Sequence, residues 1–132
     1  APAAYDTLST HFADTGRTPD YYDAIVTGDL GVVGSELLRK LFSLDGIDLG
    51  VRYMDCGRLI YYIEGQDAHS GGSGCGCSAS VLCGHLLHGM AVGTWRKLLF
   101  AATGAMMSPT TNQQGESIPA ICHAVAIENA RC

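Results

Sequence analysis

Apolar positions along this chain recur in two rhythms, a helical one and a strand-like one, and the two alternate. Leu8 and Phe12, four residues apart, predict a helix over residues 2–12, with Pro2 suited to its first turn and residues 16–19 ending it. Residues 22–27 (Tyr-Asp-Ala-Ile-Val-Thr) form a short apolar run that reads as a strand, and Gly28-Asp29 turns the chain at its end. Ser35 reads as the N-cap of a helix whose stripe holds Leu37, Leu38, Leu41, Phe42 and Leu44, stopped by Asp45-Gly46. Between residues 52 and 63 the pattern is ambiguous, because Leu59-Ile60-Tyr61-Tyr62-Ile63 suits either a strand or a covering loop. Helical spacing returns at Val81, Leu82, Leu86 and Leu87 and closes at Val92-Gly93. Residues 96–102 read as a buried strand, residues 103–117 as a turn-rich loop, and residues 118–128 as a last strand. In that strand the alternation of Ile121, His123, Val125 and Ile127 predicts a core-facing row, with His123 a satisfied core histidine.

The resulting order, α-β-α-(β)-α-β-β, implies a layered α/β fold in one domain, residues 1–132: a mixed sheet covered by helices, ending in an antiparallel hairpin. Ile25, Val26 and residues 98–101 and 121–127 are the expected buried strand positions.

One segment breaks both rhythms. Gly71-Gly72-Ser73-Gly74-Cys75-Gly76-Cys77-Ser78 packs four glycines and two cysteines into eight residues and runs straight into the helical pattern beginning at Val81. The first N–H groups of a helix lack intrahelical partners and carry partial positive charge, and glycines let the backbone approach a bound group. The segment therefore suits a carboxylate, a phosphate or a developing oxyanion; a tight turn that binds nothing fits the same residues. Gly74-x-Gly76-x-x-Ala79 also matches a dinucleotide fingerprint on paper, but a turn, residues 66–71, precedes it where a strand is required. The strand after the helix ends in Ala101-Ala102-Thr103 with no acidic residue. No Gly-Lys-Ser/Thr is present for a P-loop.

Composition narrows the chemistry further. A chain of 132 residues with 47% hydrophobic content supports a core, while a formal charge of −5 and no Lys/Arg cluster leave no footprint for nucleic acid. The longest apolar stretch, residues 81–92, is interrupted by Gly84, His85, His88 and Gly89 and is too short to span a bilayer; no signal peptide is expected either. Of six cysteines, Cys75, Cys77, Cys83 and Cys122 sit in or beside apolar runs, which argues against a disulfide scaffold. Cys83 and His88 fall on different helix faces, so a tetrahedral metal site is awkward to build; no metal or cofactor is expected. Buried, reduced thiols point to a cytoplasm-like compartment, with Cys132 exposed at the chain end. His69 reads as a rim or solvated residue, and His11, His85 and His88 as surface or half-buried helix residues.

Several long motifs, in order, carry a family resemblance. They are Ala1-Pro2-Ala3-Ala4, Tyr22-Asp23-Ala24-Ile25-Val26-Thr27-Gly28-Asp29-Leu30-Gly31-x-Val33-Gly34-Ser35, the glycine segment 71–78, Ala102-Thr103-Gly104-Ala105-x-x-Ser108-Pro109-Thr110, and Gln113-Gln114-x-Glu116-Ser117-Ile118-Pro119. Together they make the chain resemble the C-terminal portion of the stage V sporulation protein AD family, from Ala1 to about Asn129. The resemblance implies the thiolase fold, close to the third type of ketoacyl-acyl-carrier-protein synthase. It also implies binding of dipicolinic acid, the pyridine dicarboxylate loaded into bacterial spores, as the free acid or its calcium chelate.

Condensing enzymes of that fold use a cysteine from the N-terminal half, with a histidine in a strand-end turn and an asparagine in a glycine turn from the C-terminal half. The matching positions here look like Gly28 and Cys75. Glycine has no side chain to donate from and a thiol donates weakly, so both side-chain groups that would stabilise condensation are missing. The resemblance thus implies a binding site at Gly28, Asp29, Ser73, Gly74, Cys75, Gly76 and Cys77 and no catalytic residue. Asp29 would repel an anionic ligand, hold calcium or a positive partner, or simply cap the turn. Implied partners are the missing N-terminal half of the fold, other proteins of the spore dipicolinate channel complex, and a second copy as a homodimer. The implied location is the developing spore, peripheral to its inner membrane through partner proteins. Two other classes remain: an acyl-thioester-using condensing enzyme with Cys75, Cys77 or an absent cysteine as nucleophile, and an interaction module with an exposed sheet edge.

Overall fold

Four strands, β1 (Ala24–Thr27), β2 (Tyr53–Asp55), β3 (Lys97–Ala105) and β4 (Ala120–Glu128), form one mixed sheet in the order β2-β1-β3-β4 in the computed structural model, which describes residues 1–106 and 108–130. β1 runs parallel to both β2 and β3, pairing Thr27 with Asp55 on one side and with Ala101 on the other. β3 and β4 form the expected antiparallel hairpin over nine residue pairs.

All four residues of β1 are buried, as a central parallel strand covered on both faces requires. On one face Ile25, Leu99 and Ala101 meet Leu8 and Phe12 of α1 (Pro2–Thr15) and Leu38 and Phe42 of α2 (Gly31–Leu44). On the other, Ala24, Val26, Leu98 and Phe100 meet Val81, Leu86 and Met90. Those three side chains come from one continuous helical stretch. It opens as α5 (Cys77–Val81), passes through a π-type turn at Leu82–Leu86, and ends as α6 (Leu87–Ala91). Short helices α3 (Cys56–Leu59), α4 (Ile63–Gln66) and α7 (Pro109–Gln113) complete the chain. The arrangement is α/β, a mixed sheet flanked by helices, consistent with a thiolase-like layered fold. No helix among the described residues is long and apolar enough to cross a membrane.

Four local expectations need correction. α2 starts at Gly31, so Ser35 is not its N-cap. It lies buried inside the helix and donates to Val32 O at 3.0 Å, and of the expected stripe Leu37 and Leu44 are exposed. The strand between residues 52 and 63 is β2, ahead of Leu59, because Tyr53–Asp55 finds a pairing partner in β1 while residues 59–63 do not. The loop 103–117 is shorter than its sequence suggests, since β3 continues to Ala105 and α7 interrupts the rest. Most consequentially, the row Ile121, His123, Val125 is exposed, Ile121 at 55% and Val125 at 54%, and the buried residue of β4 is Cys122. β4 is an edge strand: on one face Cys122 and Ala124 join the first core cluster, with Cys122 O accepting from Thr7 of α1 at 3.0 Å, whereas on the other it is Ile127, at the far end, that reaches the second. Cys132 lies outside the described residues.

Candidate functional site

β1 and β3 run parallel, so their C-terminal ends lie side by side. From β1 the chain goes to β2 on one side, then crosses to β3 on the other. The strand order therefore reverses at β1, and in open α/β sheets a crevice forms outside the strand ends at such a point. Gly28 leaves β1 there against Thr103 of β3, so closely that a Cβ on Gly28 would stand 2.6 Å from Thr103 N and 2.8 Å from its Oγ1. No side chain fits at position 28.

Asp29 follows, and its carboxylate is met by three donors from two segments, β3 and the glycine segment. Oδ1 accepts from Thr103 Oγ1 at 2.9 Å, while Thr103 Oγ1 itself accepts the Asp29 N–H at 3.1 Å. Oδ2 accepts from Ser73 Oγ at 3.2 Å and from Gly74 N–H at 3.1 Å. One backbone N–H and one hydroxyl of the glycine segment thus face a carboxylate, and that carboxylate is the protein's own. Cys77, buried at the start of α5, lies with its thiol 3.8 Å from Gly28 O. Gly28, Asp29, Ser73, Gly74 and Cys77 are therefore brought together. Cys75 and Gly76 are exposed; the Gly76 carbonyl accepts Ser80 N–H at 2.9 Å and belongs to the helix opening.

The glycine segment is held in place from below. Gly72 N–H donates to Gly57 O at 2.6 Å, and Val32 N–H donates to Ser70 O at 2.7 Å. A Cβ on Gly71 would overlap Gly57 O and one on Gly57 would overlap Gly72 O, so the two backbones cross where only glycine fits. Asp55, at the end of β2, completes the frame. It is 1% exposed, and its carboxylate accepts Thr27 Oγ1 at 2.6 Å, Leu30 N–H at 3.0 Å and Gly31 N–H at 2.8 Å. The amides opening α2 thereby gain the acceptor that Leu30 at the N-cap position does not provide. Sequence reading missed Asp55 and Thr103. The available signal was negative: a helix start with no Ser, Thr, Asp or Asn at its cap implies an acceptor from elsewhere.

Two thiols adjoin this frame and both are held protonated. Burial raises Cys77, and the carboxylates of Asp29 and Asp55 add to the shift. Burial, followed by Asp55, pushes Cys56 up to about 12.

Residues 1–128 match the family described as Stage V sporulation protein AD (SpoVAD). The chain belongs to that family. It is also 46% identical over 130 residues to Stage V sporulation protein AD of Bacillus subtilis (strain 168), a match covering 98% of this chain and 38% of that protein. The chain spans well under half the length of the curated relative it matches.

Elsewhere in this stage V sporulation protein AD family member, the histidines stand apart from the crevice. His11 bonds Tyr22 OH at 2.6 Å, half-buried, and burial lowers its basicity ahead of any effect of Arg17. His69, His85 and His88 are exposed, and His123 is exposed too, which removes its expected core role. A cleft of about 460 Å³ lies beside β2, where Arg39 donates to Gly50 O at 2.8 Å and to Tyr53 O at 2.9 Å. The guanidinium occupies the carbonyl of Tyr53 in edge strand β2 and that of Gly50 just ahead of it, and a charge placed there discourages further pairing. A more apolar space of about 590 Å³ opens where the β3–β4 hairpin ends, between Gly104–Met106 and Pro119–Ile121. Among the described residues no group of three or more His, Cys, Asp or Glu is placed to hold a metal ion.

Proposed function

We propose that this chain is a binding protein built on a thiolase-like fold that has lost condensing chemistry, and that its ligand is dipicolinic acid, free or as the calcium chelate. The observation that carries the reading is Gly28 pressed against Thr103 in the switch-point crevice, 2.6 Å from where a Cβ would stand. That is the position at which condensing enzymes of the fold present a histidine, and here a side chain of any size collides with strand β3. At the second catalytic position Cys75 offers an exposed thiol, a weak donor to an oxyanion. Proton transfer and oxyanion stabilisation both lose their groups, while the donors of a carboxylate seat remain: Ser73 hydroxyl, Gly74 N–H and Thr103 hydroxyl.

The 132 residues act in this reading as one domain, and the remainder of the longer family members completes the crevice from the side that this chain leaves open. Partners follow from the same reading: proteins of the spore dipicolinate channel complex, a homodimeric second copy, and a peripheral place at the spore inner membrane. Calorimetric titration with dipicolinic acid, with and without calcium, tests it, using this chain alone and joined to the rest of a full-length family member. Saturable binding in the longer chain is the expected result. No heat in either form, or a cysteine found acylated by mass spectrometry after incubation with acyl-thioesters, overturns it.

A further inference from the structure

The carboxylate of Asp29 stands where an incoming carboxylate would have to stand. It takes one donor from the glycine segment's backbone, one from Ser73 and one from Thr103, at 2.9 to 3.2 Å. Ser73 and Gly74 are exposed and Asp29 is half-buried, so these bonds compete with water. A second carboxylate on the same three donors would stand beside the first, and the two like charges repel.

We propose that Asp29 is an exchangeable internal occupant of this seat, an autoinhibitory contact that a small external carboxylate must displace. The inference rests on the seat being the ligand site of the proposed function, but not on the ligand being dipicolinate. A ligand carboxylate enters as the Asp29 side chain swings off Ser73 and Gly74, so the free state is closed by the protein's own group. The glycine segment is already tied to Gly57 and Val32 through Gly72 and Ser70, and it keeps its course when Asp29 lets go. A brace and an exchangeable occupant therefore predict opposite effects of deleting the carboxylate. Loss of a brace loosens the seat and weakens ligand binding; loss of an occupant vacates it and strengthens binding.

The test is acetate titration of the full chain and of Asp29→Ala, read from the Gly74 amide by nuclear magnetic resonance, with chloride as the ionic-strength control. The expected result is acetate affinity at least ~10-fold higher in Asp29→Ala than in the unaltered chain, equivalent to ~1.4 kcal/mol. Should Asp29→Ala not fold, Asp29→Asn is read in the same way, because its amide oxygen keeps one acceptor while the charge is gone. Acetate moving the Gly74 amide no more in the folded variant than in the unaltered chain overturns the proposal. Acetate binding tightened by the substitution, with dipicolinate bound by neither protein, upholds the exchange and removes dipicolinate as the ligand.

Discussion

Asp55 accepts the Gly31 amide at 2.8 Å across 24 residues of sequence, and with that bond the end of β2 holds the start of α2. The same carboxylate takes the Leu30 amide and the Thr27 hydroxyl, so one buried side chain sets the geometry of the turn that carries Gly28 and Asp29. Asp55→Ala leaves the Leu30 and Gly31 amides without their acceptor, while the Thr27 hydroxyl keeps Tyr53 OH at 2.8 Å. Each lost bond to a buried charge is worth about 1.5–3 kcal/mol, so the variant should lose about 3 kcal/mol or more. Asp55→Asn, which keeps one carbonyl acceptor, should lose less. Urea unfolding of the three proteins checks the order.

The glycines of the 71–78 segment should separate by substitution. Gly57→Ala and Gly71→Ala place a Cβ on opposing backbone and should each cost ~1–3 kcal/mol in thermal or urea unfolding. Gly76, with φ −96° and open space around it, should accept alanine within ~0.5 kcal/mol. Gly74 also faces open space but holds φ +129°, so Gly74→Val strains the backbone that presents its amide to the crevice. Dipicolinate binding should be lost in Gly74→Val and kept in Gly76→Ala and in a Cys83→Ser control, measured by calorimetry.

Thiol chemistry should follow burial. Cys75 and Cys83 are exposed, whereas Cys56, Cys77 and Cys122 are buried with their thiols pushed up by burial. Brief alkylation of the native chain near pH 8, read by peptide mass spectrometry, should label Cys75 and Cys83 and leave the other three until denaturant is added. Rapid labelling of Cys77 in the native chain would contradict the packing against Gly28.

Acid should loosen the opposite end of β1. Asp23 accepts Arg96 N–H at 2.7 Å and Lys97 N–H at 3.0 Å, and these bonds hold its carboxyl below the usual aspartate range. A depressed folded value means that the stabilisation is present above about pH 4 and is lost as pH falls through the folded value. The site is exposed, so the loss is shallow. Asp23→Asn should flatten that part of the acid limb in a pH series of melting temperatures.

What the sequence determined was whatever a short window of residues decides. Leu8 and Phe12 share a helix face, Ala24, Ile25 and Val26 form an apolar run ending at Thr27, residues 98–101 form a buried run, and the glycine segment leads into a helix; each pattern is complete within a few residues. Those local rhythms were enough for an α/β sheet with a terminal hairpin, and for the convergence of Gly28 and Asp29 with Ser73 and Gly74 once the family motifs were seen. The tertiary structure decided the rest. It moved the start of α2 to Gly31 because Asp55 supplies the cap, and it made a strand of Tyr53–Asp55 because β1 lies beside it. It left Ile121 and Val125 uncovered because β4 is at the sheet's edge. It also seated Asp29 on donors of the glycine segment, which by sequence suited either a bound anion or a plain turn. The alternation of Ile121, His123 and Val125 says which residues share a face, not whether anything packs on it. Caps, pairing partners and the occupant of a seat are contacts between residues 24 to 74 positions apart, and no periodicity within one element carries that information.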